Sequence, residues 1–351
     1  MRFLIAGLGS IGRRHLHNLL TLGQDDVVLY RTHRGTLPED ELSVFPSETD
    51  LEAALAHKPD AVIVSNPTAL HLSVAIPAAR RGCHIFLEKP VSHTLDGLDE
   101  LQQAAVQSGS RIFVGFQFRF HPALQTVKRL LAEGAIGKPL WVHAHWGEYL
   151  PGWHPWEDYR QGYSARQDLG GGVLLTLCHP LDYLTWLFGK ATAVLGVTEK
   201  LSELELSVED TAEVVLTYAG DFLATVHLDY VQRPPQHHLE IAGSQGSIRW
   251  NYADGSVMLY PYTEGESSVK SQQFHLAPGF ERNDMFLAEM RHFVEVVQGK
   301  SQPACTLEDG IFALQLALAA KQSSLSGMKQ VLTPVFSIGP QGTSTPQPDK
   351  L

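Results

Sequence analysis

Cysteine is scarce in this chain: Cys83, Cys178 and Cys305 are the only three in 351 residues, and no C-x-x-C spacing occurs. That argues against a disulfide framework or a zinc knuckle and suits reduced thiols in a cytoplasmic protein. Long apolar runs are missing as well. No stretch approaches the ~18 apolar residues of a membrane helix. The opening run from Phe3 to Ala6 meets Gly7 before it could serve as a secretory signal. A basic excess is also missing. With 27 Lys and Arg against 38 Asp and Glu, the formal net charge is −11. Such a chain gains little from bulk attraction to polyanions, so nucleic acid is not an expected partner. No internal repeat is visible. Only residues 339–351, rich in Gly, Pro, Ser, Thr and Gln, read as a flexible tail. The remainder is globular in composition and long enough for two domains.

The first third alternates short apolar runs with helical patterns. Residues 2–6, 27–30, 61–65, 84–87 and 111–115 read as strands. Helical stretches lie at 11–22, 51–56, 69–81 and 95–107. Strands and helices at this spacing form βαβ units and a mostly parallel, doubly wound α/β sheet over residues 1–120. From residue 121 to 338 the rhythm is that of an α+β domain. A strand at 140–145 precedes an aromatic, polar loop over 146–170. A helix opens at Gly170-Gly171-Gly172 and runs to about Phe188. Strand-like residues 191–262 carry turn signals at Ala219-Gly220-Asp221, Gly243–Gly246 and Asp254-Gly255, which predict a large open antiparallel sheet. Helices follow at 283–297 and 310–323.

Gly7-Leu8-Gly9-Ser10-Ile11-Gly12 fits the G-x-G-x-x-G pattern. It follows a strand and opens a helix, the context that makes it a dinucleotide fingerprint rather than a plain Gly-rich turn. Gly7 permits the tight turn, Gly9 the approach of a pyrophosphate, and Gly12 close helix–strand packing. The second strand should end in an acid if NAD is preferred. Here it ends Tyr30-Arg31-Thr32-His33-Arg34. Either Arg31, Thr32 and Arg34 take a 2′-phosphate, which favours NADP, or the arginines are solvated and Arg31 stacks on adenine.

Further motifs accumulate. Ser65-Asn66-Pro67-Thr68 with His71, Glu88-Lys89-Pro90, Gly115–Pro122, and Gly170-Gly171-Gly172 leading to His179-Pro180-Leu181-Asp182 together resemble the glucose–fructose oxidoreductase / inositol dehydrogenase / MocA (Gfo/Idh/MocA) family over about residues 1–330. The resemblance implies a Rossmann domain, a second domain whose sheet mediates homo-oligomers, and a nicotinamide between them. It implies NAD or NADP chemistry on sugars, cyclitols or nucleotide-sugars. Beyond Gly7, Gly9, Ser10, Ile11 and Gly12, it assigns the cofactor to Ser65, Asn66, Pro67, His71, Glu88, Lys89 and Gln117. Two alternatives stay open: a redox-neutral, NAD-dependent glycosidase, and a non-catalytic dinucleotide sensor.

Hydride transfer at a carbinol carbon needs a group that moves the hydroxyl proton and a cation at the developing alkoxide. Lys89 follows a buried strand and falls at the carboxyl edge of the sheet, where such folds bind ligands. It is read as that cation, with Glu88 orienting it. His179 is read as the proton carrier, with Asp182 three residues on to orient the ring or the substrate. Many members of the family carry Asp four residues before this histidine. Here the position is Leu175, and neighbouring Thr176 supplies no carboxylate. Asp168 is a weak substitute, so a two-member Lys89–His179 arrangement is expected. Tyr149, Trp153, His154 and Tyr163 either line a sugar pocket or fasten the loop to the sheet. Arg119 reaches a substrate acid or pairs between domains. His143, His145 and His154 do not complete a metal ligand set, and no metal is expected.

Overall fold

The computed structural model describes residues 1–32, 37, 40–220, 222–262 and 271–333. Arg34, Asp221 and the 339–351 tail lie outside the described residues. The first sheet is assembled from β1 (Phe3–Ala6), β2 (Val27–Tyr30), β3 (Ser47–Glu48), β4 (Ala61–Val64), β5 (His84–Glu88) and β6 (Ile112–Gly115). Its order is β3-β2-β1-β4-β5-β6 and every pairing is parallel. Helices α1 (Ser10–Thr21), α2 (Leu51–Ala56), α3 (His71–Arg80) and α4 (Leu98–Ser108) make the crossovers. β1 and β4 are apolar and buried along their whole length, as strands covered on both faces must be. The order reverses between β1 and β4, which opens a crevice at their carboxyl ends.

The second unit begins with α5 (Pro122–Ala132). It continues through β7 (Pro139–Gly147), α6 (Val173–Thr176), α7 (His179–Phe188), β8 (Ala193–Glu199), β9 (Thr211–Thr217), β10 (Leu223–Asp229), β11 (Gln236–Gly243), β12 (Gly246–Asn251), β13 (Val257–Pro261) and β14 (Gln272–Phe274). Then come α8 (Arg282–Val297), α9 (Leu307–Ser326) and β15 (Gln330–Val331). The sheet order is β14-β13-β12-β11-β7-β10-β9-β8-β15. Burial alternates along the strands. In β9, Ala212, Val214 and Leu216 point inward while Glu213 is exposed, the signature of a sheet covered on one face. The opposite face exposes Trp141, Leu195, Val197 and Leu223.

Three features differ from the sequence expectation. The large sheet is mixed, because β7 and β10 pair in parallel. The loop over 146–170 is folded into four 3₁₀ turns. The helix predicted from Gly170 to Phe188 is broken into α6 and α7. Pro180 has no N–H to return to the Thr176 carbonyl, so the hydrogen-bond ladder cannot run through.

Candidate active site

The glycine motif sits where β1 meets α1. Gly7 has a positive φ of 94°, and a Cβ there would lie 2.5 Å from Asn66 N. A Cβ on Gly12 would lie 1.9 Å from Gly7 O. Gly9, by contrast, faces open space. It begins α1 without a side-chain cap, and no acid occupies the first turn. Free amides and the positive end of the helix therefore face the crevice, beside Ser10 and Ile11, and this cradle fits a dinucleotide pyrophosphate. Ser65 Oγ donates to Ala6 O at 3.1 Å and to Gly7 O at 2.8 Å, which fixes the turn from the β4 side. His71 is buried and its Nε2 donates to Asn66 O at 3.0 Å. That bond supports the Asn66-Pro67 turn. At the end of β2, half-buried Arg31 and exposed Thr32 follow Tyr30 with no acid.

Lys89 leaves β5 through a cis bond to Pro90. Its Nζ donates to Thr176 O at 2.9 Å, a contact between the two domains. That acceptor is the carbonyl which Pro180 leaves free. Burial opposes the ammonium, but Tyr163, Cys178 and Glu88 outweigh it and hold its pKa above the usual lysine range. Tyr163 is thus a neighbour of Lys89. Buried Glu88 is pushed up by desolvation, yet His15 at 2.7 Å and Lys89 keep it a carboxylate below its ordinary value. Its Oε2 also accepts the Lys89 backbone N–H at 3.1 Å.

His179 opens α7 and is 1% exposed. Gln117 Nε2 donates to its Nε2 at 3.2 Å. Trp146 stacks on the ring at 5.2 Å, and Phe116 and Phe118 meet it edge-on. Its buried Nδ1 has no hydrogen-bond partner among the described residues. Burial, then the positive charges of Lys89 and Arg282, hold the imidazole well below its ordinary pKa. It is a neutral base.

Arg119 and Asp182 pair with each other. Arg119 Nη2 donates to Asp182 Oδ1 at 2.7 Å, and Nε to Oδ2 at 3.1 Å. Arg119 Nη1 takes Ala304 O at 2.8 Å. Two charges this deeply buried satisfy one another. Asp168 is exposed and bound to Arg166, so it does not stand in for the absent carboxylate. His154 Nε2 lies 3.4 Å from Ser10 Oγ, and its Nδ1 lies 2.8 Å from Glu157. The aromatic loop therefore reaches across to the glycine motif. Trp153 packs edge-on against Tyr230, and Tyr149 lies under Arg233.

Residues missed in the sequence also gather here. Trp146 occupies the inward parity of β7, a signal legible once that strand was assigned. Arg14 and Arg282 flank the Phe286 ring at 4.5 and 5.9 Å, and neither forms a salt bridge among the described residues. Glu289 is buried and pushed well above the carboxylate range, first by desolvation and then by Glu88. Only the fold brings these distant positions together.

A parallel six-stranded sheet with an open glycine cradle, joined to a cleft holding one lysine and one neutral histidine, defines a nicotinamide-dependent oxidoreductase. Residues 1–116 match the oxidoreductase family with an NAD-binding Rossmann fold, and residues 124–249 match the GFO/IDH/MocA C-terminal domain. The chain belongs to the Gfo/Idh/MocA family. It is 29% identical over 343 residues to myo-inositol 2-dehydrogenase of Thermotoga maritima, covering 92% of this chain and 96% of that protein. It is 28% identical to scyllo-inositol 2-dehydrogenase (NAD(+)) of Bacillus subtilis, with 93% and 95% covered. Its fold is similar to that of levoglucosan dehydrogenase in complex with NADH, with a TM-score of 0.84, 18% identity, and 95% and 100% covered. The protein is an NAD-binding dehydrogenase or reductase acting on CH–OH groups. No helix among the described residues is long and apolar enough to cross a membrane.

Proposed function

We propose that this protein oxidises or forms a secondary hydroxyl on a sugar-like substrate, a cyclitol or pyranose, with His179 and Lys89 handling the hydroxyl proton. The bound nicotinamide supplies the acceptor or donor of hydride. Gly7, Gly9 and Gly12 with the α1 amides hold its pyrophosphate, and Gln117 lies beside His179. His179, neutral, takes the hydroxyl proton at Nε2 once the substrate hydroxyl replaces the Gln117 amide there. Lys89 stays charged and stabilises the alkoxide as it forms. The field that keeps His179 neutral makes its imidazolium a strong acid, which returns the proton in the reducing direction. With Leu175 where a carboxylate would stand, the pair works without a third member. Tyr163 and Trp153 line the substrate side, and His154 spans from the loop to Ser10. Arg31 and Thr32 after β2 favour the 2′-phosphate of NADP over NAD. The uncovered face of the large sheet is the contact of a homo-oligomer.

The observation that carries this reading is the Lys89–Thr176 bond. It brings a lysine of the first domain to the turn that leads into His179. The test is a cofactor-coupled screen of sugars, cyclitols and nucleotide-sugars with NAD and NADP in parallel. It is followed by Lys89→Met and His179→Gln. Each variant is expected to lower kcat by ~100-fold or more, with cofactor still bound in a fluorescence titration. Near-wild-type turnover in either variant overturns the assignment. Equal kcat/KM with NAD and NADP removes the role of Arg31.

A further inference from the structure

The outer face of the large sheet carries a row of imidazoles that the hydride chemistry does not use. Register places His238 of β11 and His227 of β10 directly opposite His145 of β7, one on each side. Glu213 of β9 stands opposite His227. The row therefore reads His238, His145, His227, Glu213 across four adjacent strands. His143 and Asp229 lie two residues along from it on β7 and β10. Neighbouring rings are close: His145 is 4.6 Å from His227 and 5.0 Å from His238 between centroids. Of this grouping only His143 and His145 stand together in the sequence; the other members come from β9, β10 and β11.

Three ligand atoms converge without help from outside the chain. One ligand atom from each of His145, His227 and Asp229 lies within 4.8 Å of the other two. His227 Nε2 is 3.1 Å and His145 Nε2 3.9 Å from Asp229 Oδ2. Ligand atoms on a tetrahedral ion with bonds of about 2.0–2.1 Å sit roughly 3.3–3.5 Å apart, so the spacings bracket that geometry.

The surrounding shell orients each ligand. Glu213 Oε1 engages His227 Nδ1, which leaves Nε2 to face Asp229; a carboxylate behind an imidazole is the usual support of a metal-bound histidine. Asp229 Oδ1 accepts from the Val231 and Gln232 amides at 2.7 and 2.6 Å, which leaves Oδ2 for the cluster. Gly147 lies opposite Asp229, and a Cβ there would come within 2.1 Å of Oδ2. One feature is unexplained by hydrogen bonding alone. His145 Nε2 is buried and has no hydrogen-bond partner among the described residues, an arrangement that proteins seldom leave without a function.

We propose that His145, His227 and Asp229 bind one divalent transition cation of the zinc type, supported by Glu213. A second trio, His143, His145 and His238, shares His145, so the two sets compete for one imidazole. The trio containing Asp229 is favoured because its carboxylate offsets the cation's charge and two of its members already have outer-shell partners. The ion clips β7 to β10, the parallel pair at the centre of the sheet. Trp146, next to His145 but on the other face, stacks on His179, so the clip backs the active site without entering it.

The experiment uses the full-length chain, free of any affinity tag and stripped with chelator. Zinc chloride is titrated by calorimetry, and bound zinc is counted by atomic emission after dialysis. One zinc per chain is expected, together with a higher Tm. His145→Ala should weaken binding by ~100-fold and Glu213→Gln by ~10-fold, while His238→Ala leaves it nearly unchanged. His145→Gln serves as the second variant, with its fold checked by circular dichroism and its NAD binding by fluorescence. Zinc well below one per chain in the wild type, or wild-type affinity in a folded His145 variant, overturns the site. An equal loss in His238→Ala and His145→Ala overturns the ligand set in favour of the other trio.

Discussion

Pro180 does two jobs with one missing hydrogen. It ends the ladder that would have joined α6 to α7, and it leaves the Thr176 carbonyl without its helical donor. Lys89 Nζ takes that carbonyl at 2.9 Å. Pro180→Ala returns an N–H that competes for the same oxygen. We expect kcat to fall about 5-fold, the worth of one ordinary hydrogen bond of about 1 kcal/mol. Cofactor Kd should not change. Steady-state kinetics beside a cofactor titration check this, and an unchanged kcat would show that Lys89 does not depend on the carbonyl. At this scale the site was partly legible. Lys89 and His179 stood out by motif, and their neighbours Tyr163 and Thr176 were named. Arg119 was open between a substrate acid and a partner between domains, and Asp182 between the ring and the substrate, because a charged residue near a motif looks the same whether its partner is substrate or another buried side chain; the structure pairs the two. Arg14, Arg282 and Glu289 carried no local signal at all.

Elements were read best where burial follows a period. β1 and β4 are uniform apolar runs, and β9 alternates, so both kinds of sheet were legible. The parallel pairing of β7 with β10 was not, since register between distant strands leaves no mark in either one. Helix starts depended on capping chemistry. α9 begins three residues before the predicted start because Thr306 and Asp309 form a capping box. α5 begins with Pro122 at its first turn, and its cap is His121, whose Nδ1 accepts the Ala123 N–H at 3.2 Å. Burial pushes that imidazole down to about 4. The sign follows from linkage. In the unfolded chain His121 takes a proton near its ordinary pKa of about 6.5, whereas the folded chain refuses it. Stability tied to His121 is full above about pH 6.5 and is lost as pH falls towards 4. Between pH 7 and 5 that loss amounts to about 2 kcal/mol. His121→Asn keeps a cap acceptor without a titrating ring. Urea midpoints at the two pH values should therefore differ less in this variant than in the wild type. The remaining drop is shared by His71, His84, His145, His179, His237 and His238, which are also held low chiefly by burial. An identical pH response in His121→Asn would mean that His121 is not a source of the acid sensitivity.

At the scale of the whole molecule, the chain's last helices tie its two sheets together. α8 follows the large sheet in sequence, yet Met290 and Phe293 pack in the same cluster as Phe3, Ile5, Phe86 and Phe113 of the first sheet. Phe293 meets Phe86 edge-on at 5.4 Å. Cys305 O, just before α9, accepts the Val114 N–H of β6 at 3.0 Å. Gly310 of α9 lies so close to the first domain that a Cβ would fall 2.5 Å from Val91 Cγ1. The helix over 283–297 was legible in the sequence, but a helical pattern does not say which surface it covers. Because α8 leaves the second unit to complete the core of the first, neither sheet keeps its packing if the other opens. Calorimetry of the full chain should therefore show one transition. Phe293→Ala removes a fully buried ring and should cost about 3–5 kcal/mol, displacing that single transition downward without splitting it. If the wild type melts in two steps, or if the variant lowers only one of them, the sheets are stable apart and the helix is an ornament on the first rather than its link to the second.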